Sequence, residues 1–404
     1  MHKYLFGLSL AALVAPAVHA EEIKFKPLLD ARLRYETVDQ TPFADDADSV
    51  TMRVRSGAEF SSGPFTFLAE AEATLAIDED YNSGVNGKAG FPIVADPENI
   101  ELNRIQLQYK GIPKTVVTVG RQRINLDDQR FVGAVGWRQN EQTFDAVRVE
   151  WTGIKNLKAD VTYSWSVRTI YGIDGISGTA NQQAISGDNV FATLAYTTKL
   201  GTLTGFAYLV DQDEQPAAVL QRANQTYGAR FAGAYPFSKA VKLGYALSYA
   251  HQSDYHNNPV DYSADYYAAE LNLDAKGFKL TGGYELLGSD DGVKAFQTPL
   301  ATLHKFNGWA DKFLATPANG LEDIYGGLAY TLPKLGKTGP LTLGVVYHRF
   351  NSDRLDQHYG NEWDAQATLK LTKRLGFTAK YADYDAKALL TDTKKFIAQF
   401  DYAL

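Results

Sequence analysis

The sequence predicts an all-β chain closed into a transmembrane antiparallel up-and-down β-barrel, and three observations carry that reading. Segments of about 9–11 residues, long enough to cross a bilayer at a tilt, alternate polar and apolar side chains with period two. The links between them alternate in length: 61–64, 111–113, 152–156, 198–200, 236–239, 274–277 and 372–374 are tight, whereas 78–99, 122–143, 168–188 and 288–320 are long and polar. The chain also carries 24 Tyr and 21 Phe, enough for the aromatic girdles that barrels place at both membrane interfaces.

The first strand sets Leu29, Ala31, Leu33 and Tyr35 against Asp30, Arg32, Arg34 and Glu36. The second sets Met52, Val54, Ala58 and Phe60 against Arg53, Arg55, Gly57 and Glu59. Continued along the chain, the pattern predicts about eighteen strands. They fall at 26–37, 50–61, 65–76, 100–110, 114–122, 143–151, 157–168, 189–197 and 201–210, then at 225–235, 241–251, 264–273, 278–287, 321–331, 341–350, 361–371, 375–384 and 394–404. An even count places both termini and every short turn on the periplasmic side and the long loops outside. Only 332–340 is a periplasmic link of intermediate length. Two segments depart from the rule. Val117, Val119, Arg121 and Arg123 share one parity, so the fifth strand needs a bulge or an early end near Gly120. Residues 202–209 are apolar on both faces.

Residues 1–20 read as a cleavable signal peptide: Lys3 is the basic end, Leu5–Val14 the apolar core and Val18-His19-Ala20 the small-x-small site before Glu21. Residues 21–404 then form one barrel domain in the outer membrane of a Gram-negative bacterium. No later run approaches the ~20 apolar residues of a membrane helix. The final stripe of Phe396, Phe400, Tyr402 and Leu404 suits the terminal strand that barrel-assembly machinery reads. Membrane lipid and lipopolysaccharide are the expected surroundings, and a monomer is expected because no lipid-face patch marks an interface. With no cysteine and a net charge of −7, disulfides are excluded and nucleic-acid binding is disfavoured.

An Arg facing the bilayer midplane costs ~2–4 kcal/mol, so the charged face must line the interior. A barrel this wide encloses an aqueous channel unless loops fill it. Eleven of the sixteen arginines precede residue 170, and Arg32, Arg34, Arg53, Arg55, Arg104 and Arg148 fall on inward faces. A guanidinium-rich wall would draw an anionic solute through the pore. Asp30, Glu36, Glu59, Glu70, Glu72, Glu101 and Glu150 leave a second reading open, in which the ladder neutralises itself and only stiffens the barrel. No cofactor is expected; Asp78, Asp80 and Asn82 are a weak oxygen-ligand set for Ca²⁺ without full EF-hand spacing. The chain is not expected to be an enzyme. An enzymatic alternative, lipid hydrolysis or acyl transfer, would rest on His251 and Ser253, which share a face, or on His348.

The stretch Gly120-Arg121-Gln122-Arg123-Ile124-Asn125-Leu126-Asp127-Asp128-Gln129-Arg130-Phe131-Val132-Gly133, continued by Gly136-Trp137-Arg138-Gln139-Asn140-Glu141-Gln142-Thr143-Phe144-Asp145, resembles the signature of the alginate-export family of outer-membrane barrels. His304-Lys305-Phe306-Asn307-Gly308-Trp309-Ala310-Asp311-Lys312-Phe313, with Thr316-Pro317 and Gly320-Leu321-Glu322-Asp323, is similar to it as well. The resemblance implies a porin-like barrel whose electropositive constriction passes a polyuronate. Arg121, Arg123, Arg130 and Arg138 become pore-lining candidates, with Asp127, Asp128 and Glu141 as acids that orient them. The turn 372–374 leaves no room for the long periplasmic plug loop of the pseudomonad exporter, so a general or sugar-uptake porin without polyuronate specificity is the alternative.

Overall fold

The structure, a computed structural model, describes residues 22–213 and 216–404; the expected signal peptide at 1–20 lies outside them. Strands β1 (Lys24–Gln40), β2 (Ala47–Ser62), β3 (Phe65–Asp80), β4 (Asn99–Tyr109), β5 (Thr115–Gln122), β6 (Thr143–Trp151) and β7 (Leu157–Arg168) open the chain. They are followed by β8 (Ala184–Thr197), β9 (Thr202–Val210), β10 (Asn224–Pro236), β11 (Val241–Asp254), β12 (Ser263–Ala275) and β13 (Phe278–Leu287). A two-residue hairpin, β14 (Ser289–Asp290) and β15 (Lys294–Ala295), interrupts the next link. Then come β16 (Leu321–Leu332), β17 (Leu341–Asn351), β18 (His358–Lys370), β19 (Leu375–Ala386) and β20 (Thr393–Ala403). All but the hairpin join one 18-stranded antiparallel sheet, which closes because β1 pairs with both β2 and β20. Closure satisfies every ladder and leaves no edge for lipid to meet.

Several strands run past the expected ends at the long-loop side, with β1 reaching Gln40, β3 reaching Asp80 and β8 starting at Ala184. Side chains turn polar there, so the alternation against lipid fades, yet backbone pairing continues. In β8 that extension is bulged. Gly187 adopts φ +155°, and a Cβ there would collide with the carbonyl oxygen of Asp211.

The two faces follow the alternation. Leu33 is 42% exposed on the outer surface, whereas Arg34 and Glu36 beside it are fully buried. The inner face is not polar throughout, however. Phe191, Phe206, Tyr208, Tyr266, Phe350 and Tyr384 point inward and pack with Ile124, Leu126, Val132, Phe296, Leu300 and Phe313 from the loops. This explains the two-faced β9: Leu203 meets lipid, while Phe206 and Tyr208 stack at 4.9 Å and receive Phe131 at 5.1 and 5.9 Å.

Candidate functional site

Two loops, 123–142 after β5 and 288–320 before β16, fold back into the barrel and join each other. Gly133 N–H donates to the Leu300 carbonyl at 2.9 Å and Thr302 N–H to that of Gln129 at 3.1 Å. The Gln142 amide donates to the carbonyls of Gly133 (2.8 Å) and Leu300 (3.2 Å). Gly133 permits the approach, because a Cβ would strike the Thr302 hydroxyl. The joined segments form a septum with a cavity on each side. Val135, Arg138, Leu303 and His304 line one of about 780 Å³ toward the long-loop end. Ala134, Gly136, Trp137 and Thr302 line one of about 690 Å³ toward the chain termini.

The inward arginines of the strands each meet a carboxylate. Arg32 Nε lies 2.7 Å from Asp401, and its Nη1 donates to the Trp137 carbonyl at 2.7 Å. Arg34 bonds Asp96 at 3.2 Å and the Trp137 carbonyl at 2.6 Å. Arg53 pairs with Asp30. Arg55 reaches Glu72 at 2.5 Å and Glu141 at 3.4 Å. Arg104 is bidentate on Glu70 (2.8 and 2.6 Å), and Arg148 on Asp160 (3.0 and 2.5 Å).

Of the four arginines singled out by resemblance, three turn inward. Arg123 is bidentate on Glu141 at 2.7 and 2.5 Å. Arg130 crosses to the far wall and binds Glu285 at 2.6 Å, with Thr298 and Asn307 each at 3.0 Å. Arg138 binds Asp311 at 2.9 Å and Glu36 at 3.4 Å. Arg121 is not a pore residue. It stands opposite Ile105 and Asp145 in the register, on the outward face that carries Val119, and is bidentate on Asp145 at 2.8 and 3.1 Å. β5 ends at Gln122, just past Gly120 at φ +110°, so only Arg123 escapes the strand's parity.

The supporting acids divide in the same way. Glu141 orients Arg123 and Arg55, but Asp127 and Asp128 pair with Arg230 on β10, at 2.7 and 3.2 Å. Asp78 and Asp80 belong to the end of β3, not to a loop, and the Asn82 side-chain oxygen accepts from Gly84 N–H. Among the described residues no group of three acids or histidines is placed to hold a metal.

His251 does not engage Ser253. It bonds Asp265 at 2.9 Å and lies 3.4 Å from the Ser263 hydroxyl. Ser263's own N–H is spent on Asp290 at 3.0 Å, so it offers no oxyanion donor. His348 is buried against Asp323 at 2.9 Å.

One cluster joins the two family-like stretches to strands distant in sequence. Trp137 stacks on His304 with centroids 4.2 Å apart and planes 3° apart, and Arg34 and Lys380 each lie 4.3 Å from the Trp137 ring. Lys380 donates to His304 Nε2 at 2.7 Å, and the ring's Nδ1–H donates to Asp311 at 2.8 Å. Lys395 completes Asp311 at 2.6 Å. Burial, aided by the neighbouring Lys380, pushes His304 down to about 3 and keeps it neutral. Burial works against charge on Asp311, but the interaction with His304, followed by the neighbouring Lys395 and Arg138, outweighs it and holds the carboxyl well below its ordinary range.

The profile of the alginate export family matches residues 29–288, well over half of the chain. The chain belongs to the alginate-export family. No curated protein matches it in sequence. Solved structures similar to it include Acinetobacter baumannii OccAB4, at 14% identity and TM-score 0.70, covering 96% of this chain and 99% of that one. Pseudomonas aeruginosa OccK11 (OpdR) is similar at 14% identity and TM-score 0.68, covering 94% and 96% of the two chains. Pseudomonas aeruginosa OpdL is similar at 17% and 0.66, covering 94% and 98%. At these identities the likeness is one of fold. This alginate-export family chain thus has the porin-like fold of a Gram-negative outer-membrane β-barrel.

Proposed function

We propose that the barrel passes an anionic, alginate-like oligo- or polysaccharide through an arginine-lined lumen. The observation that carries this is the cation excess around the cavity on the terminal side. Lys26, Arg32, Arg55, Arg104 and Arg123 line it against Asp30, Glu70 and Glu141. Arg104 and Arg123 are each bidentate on an internal carboxylate through Nε and Nη2, which leaves Nη1 to meet a uronate carboxylate without unpairing a buried acid. Affinity at each station then stays weak enough for release. The test is reversal potential and current block in planar bilayers: anion selectivity and block by oligouronates are expected, and cation selectivity with no uronate effect would overturn the reading.

A second reading, a general or sugar-uptake porin, is favoured by the carboxylate that meets every inward strand arginine considered above. Block by neutral oligosaccharides as strong as that by oligouronates would decide for it. In either case the chain would leave the inner membrane through cleavage before Glu21, which N-terminal sequencing of the mature protein checks. It would be inserted by the barrel-assembly machinery and work as a monomer among lipid and lipopolysaccharide, without Ca²⁺ or another cofactor and without enzymatic activity.

A further inference from the structure

The cavity on the long-loop side has a wall unlike the one beneath it. Its charged lining is Arg138, Arg222, Lys294, Lys312 and Lys395, with Asp311 as the one carboxylate among its described lining residues. Arg138 and Lys395 are taken up by Asp311 and Glu36. The other three have no carboxylate in an ion pair among the described residues, in contrast to every arginine of the lumen wall discussed above. Arg222 has Tyr171 as its charge neighbour. Lys294 donates to the Gln221 carbonyl, which places it beside Arg222, and lies 4.5 Å from the centre of the Tyr262 ring. Lys312 donates to the Thr393 hydroxyl at 2.7 Å. Burial lowers Arg222 and pushes Lys294 and Lys312 down to about 8; the more distant Asp254, and Glu362 with Asp392, oppose this for Lys294 and Lys312 respectively without overcoming it.

The remaining wall is largely apolar, with Ile93, Val135, Ile170, Val260, Leu303 and Leu314 among its side chains. At about 780 Å³ the cavity falls within the ~300–1,000 Å³ of small-molecule sites. Amides and hydroxyls such as Gln40, Thr169 and Gln212 are scattered among these side chains, too sparse to meet every hydroxyl of a saccharide, and a small inorganic anion would leave the apolar part of the wall wet. An anion with an apolar body satisfies both halves.

We propose that this cavity binds an amphipathic carboxylate, its apolar ring or chain against Ile170, Leu303 and Leu314 and its carboxylate on Arg222 and Lys294, with Lys312 opposite. The site is independent of the saccharide reading, since its chemistry differs from that of the cavity below.

The probes are 2-naphthoate, its uncharged analogue 2-naphthamide, and glucuronate, titrated by fluorescence against the full-length folded barrel in detergent. Naphthoate is expected to bind at least about tenfold more tightly than naphthamide, and glucuronate is expected not to displace it. Arg222→Gln, Lys294→Gln and Leu314→Asn are each expected to weaken naphthoate about tenfold while heat-modifiable gel migration stays normal. All three side chains are at least partly exposed, and if one variant fails to fold the other two carry the test. Equal binding of naphthoate and naphthamide, displacement by glucuronate, or unchanged affinity in the folded charge variants would overturn the proposal.

Discussion

Lys380 on β19 donates to Nε2 of His304 at 2.7 Å, coupling the barrel wall to a loop residue 76 positions away. The bond requires an unprotonated Nε2, and the remaining ring N–H is then committed to Asp311. His304 thereby anchors the 288–320 loop through two hydrogen bonds and a stacked indole. His304→Ala is expected to leave Lys380 without its acceptor and to take one donor from Asp311, which keeps Lys395 and Arg138, at ~1–3 kcal/mol for each lost buried bond. The strand ladders are untouched, so heat-modifiable migration should persist while single-channel current becomes larger and noisier. Unchanged current and unchanged protease resistance of the loop would contradict the anchor.

Acid should loosen the same anchor. The His304 pKa falls from 6.5 to about 3 in the packed loop, so the released loop binds more protons over that interval. Packing is at full strength above the ordinary value and weakens as pH falls toward 3, by ~2–3 kcal/mol at about pH 4.5. Asp311 is shifted downward, so its contribution is lost only below the ordinary carboxylate range. Conductance and limited proteolysis at pH 7.5 and 4.5 check this. The acid effect should be smaller in His304→Asn, which cannot gain the proton.

The lumen arginines are not equivalent. Arg123 is about one-third exposed, and its partner Glu141 keeps Arg55 and Asn103 when it is removed. Arg123→Gln should therefore fold normally and lower the anion-to-cation permeability ratio by about twofold to threefold, read as a shift in reversal potential. Arg55 is 6% exposed and stands between Glu72 and Glu141. Arg55→Ala leaves two buried carboxylates without their shared cation, a loss of ~3–5 kcal/mol. It should lower the temperature at which the folded gel band disappears.

Strand number and facing were legible because period two and link length are local properties of the chain. The polar outer ends of β1, β3 and β8 were not, since backbone pairing outlasts the lipid contact that creates the pattern. Arg121 and Arg123 differ in facing because β5 stops between them, a single-residue matter that parity alone cannot place. Asp127 and Asp128 sit beside the arginine-rich stretch in sequence but find Arg230 across the barrel. The anchor joining Lys380, His304 and Trp137 arises only when two loops and a late strand are packed together. The apolar inner face of β9 did leave a trace, as hydrophobic residues on both of its sides.

Arg130 offers the sharpest test of the septum, because one guanidinium ties three elements. Its loop follows β5, Glu285 lies on β13, and Thr298 and Asn307 belong to the second loop. It is 2% exposed and sits 4.8 Å from the centre of the Phe306 ring. Lysine keeps the charge but cannot form this planar three-way contact, and alanine removes both. Arg130→Lys should retain part of the septum and Arg130→Ala lose it, with open-channel conductance increasing in that order. Glu285 also accepts from Asn307 and Tyr266, so the β13 wall should hold in both variants and the folded band should remain. If Arg130→Ala conducts like the parent protein, the loops hold each other through the Gly133–Leu300 and Gln129–Thr302 backbone bonds and the Gln142 amide, and Arg130 does not pin the septum.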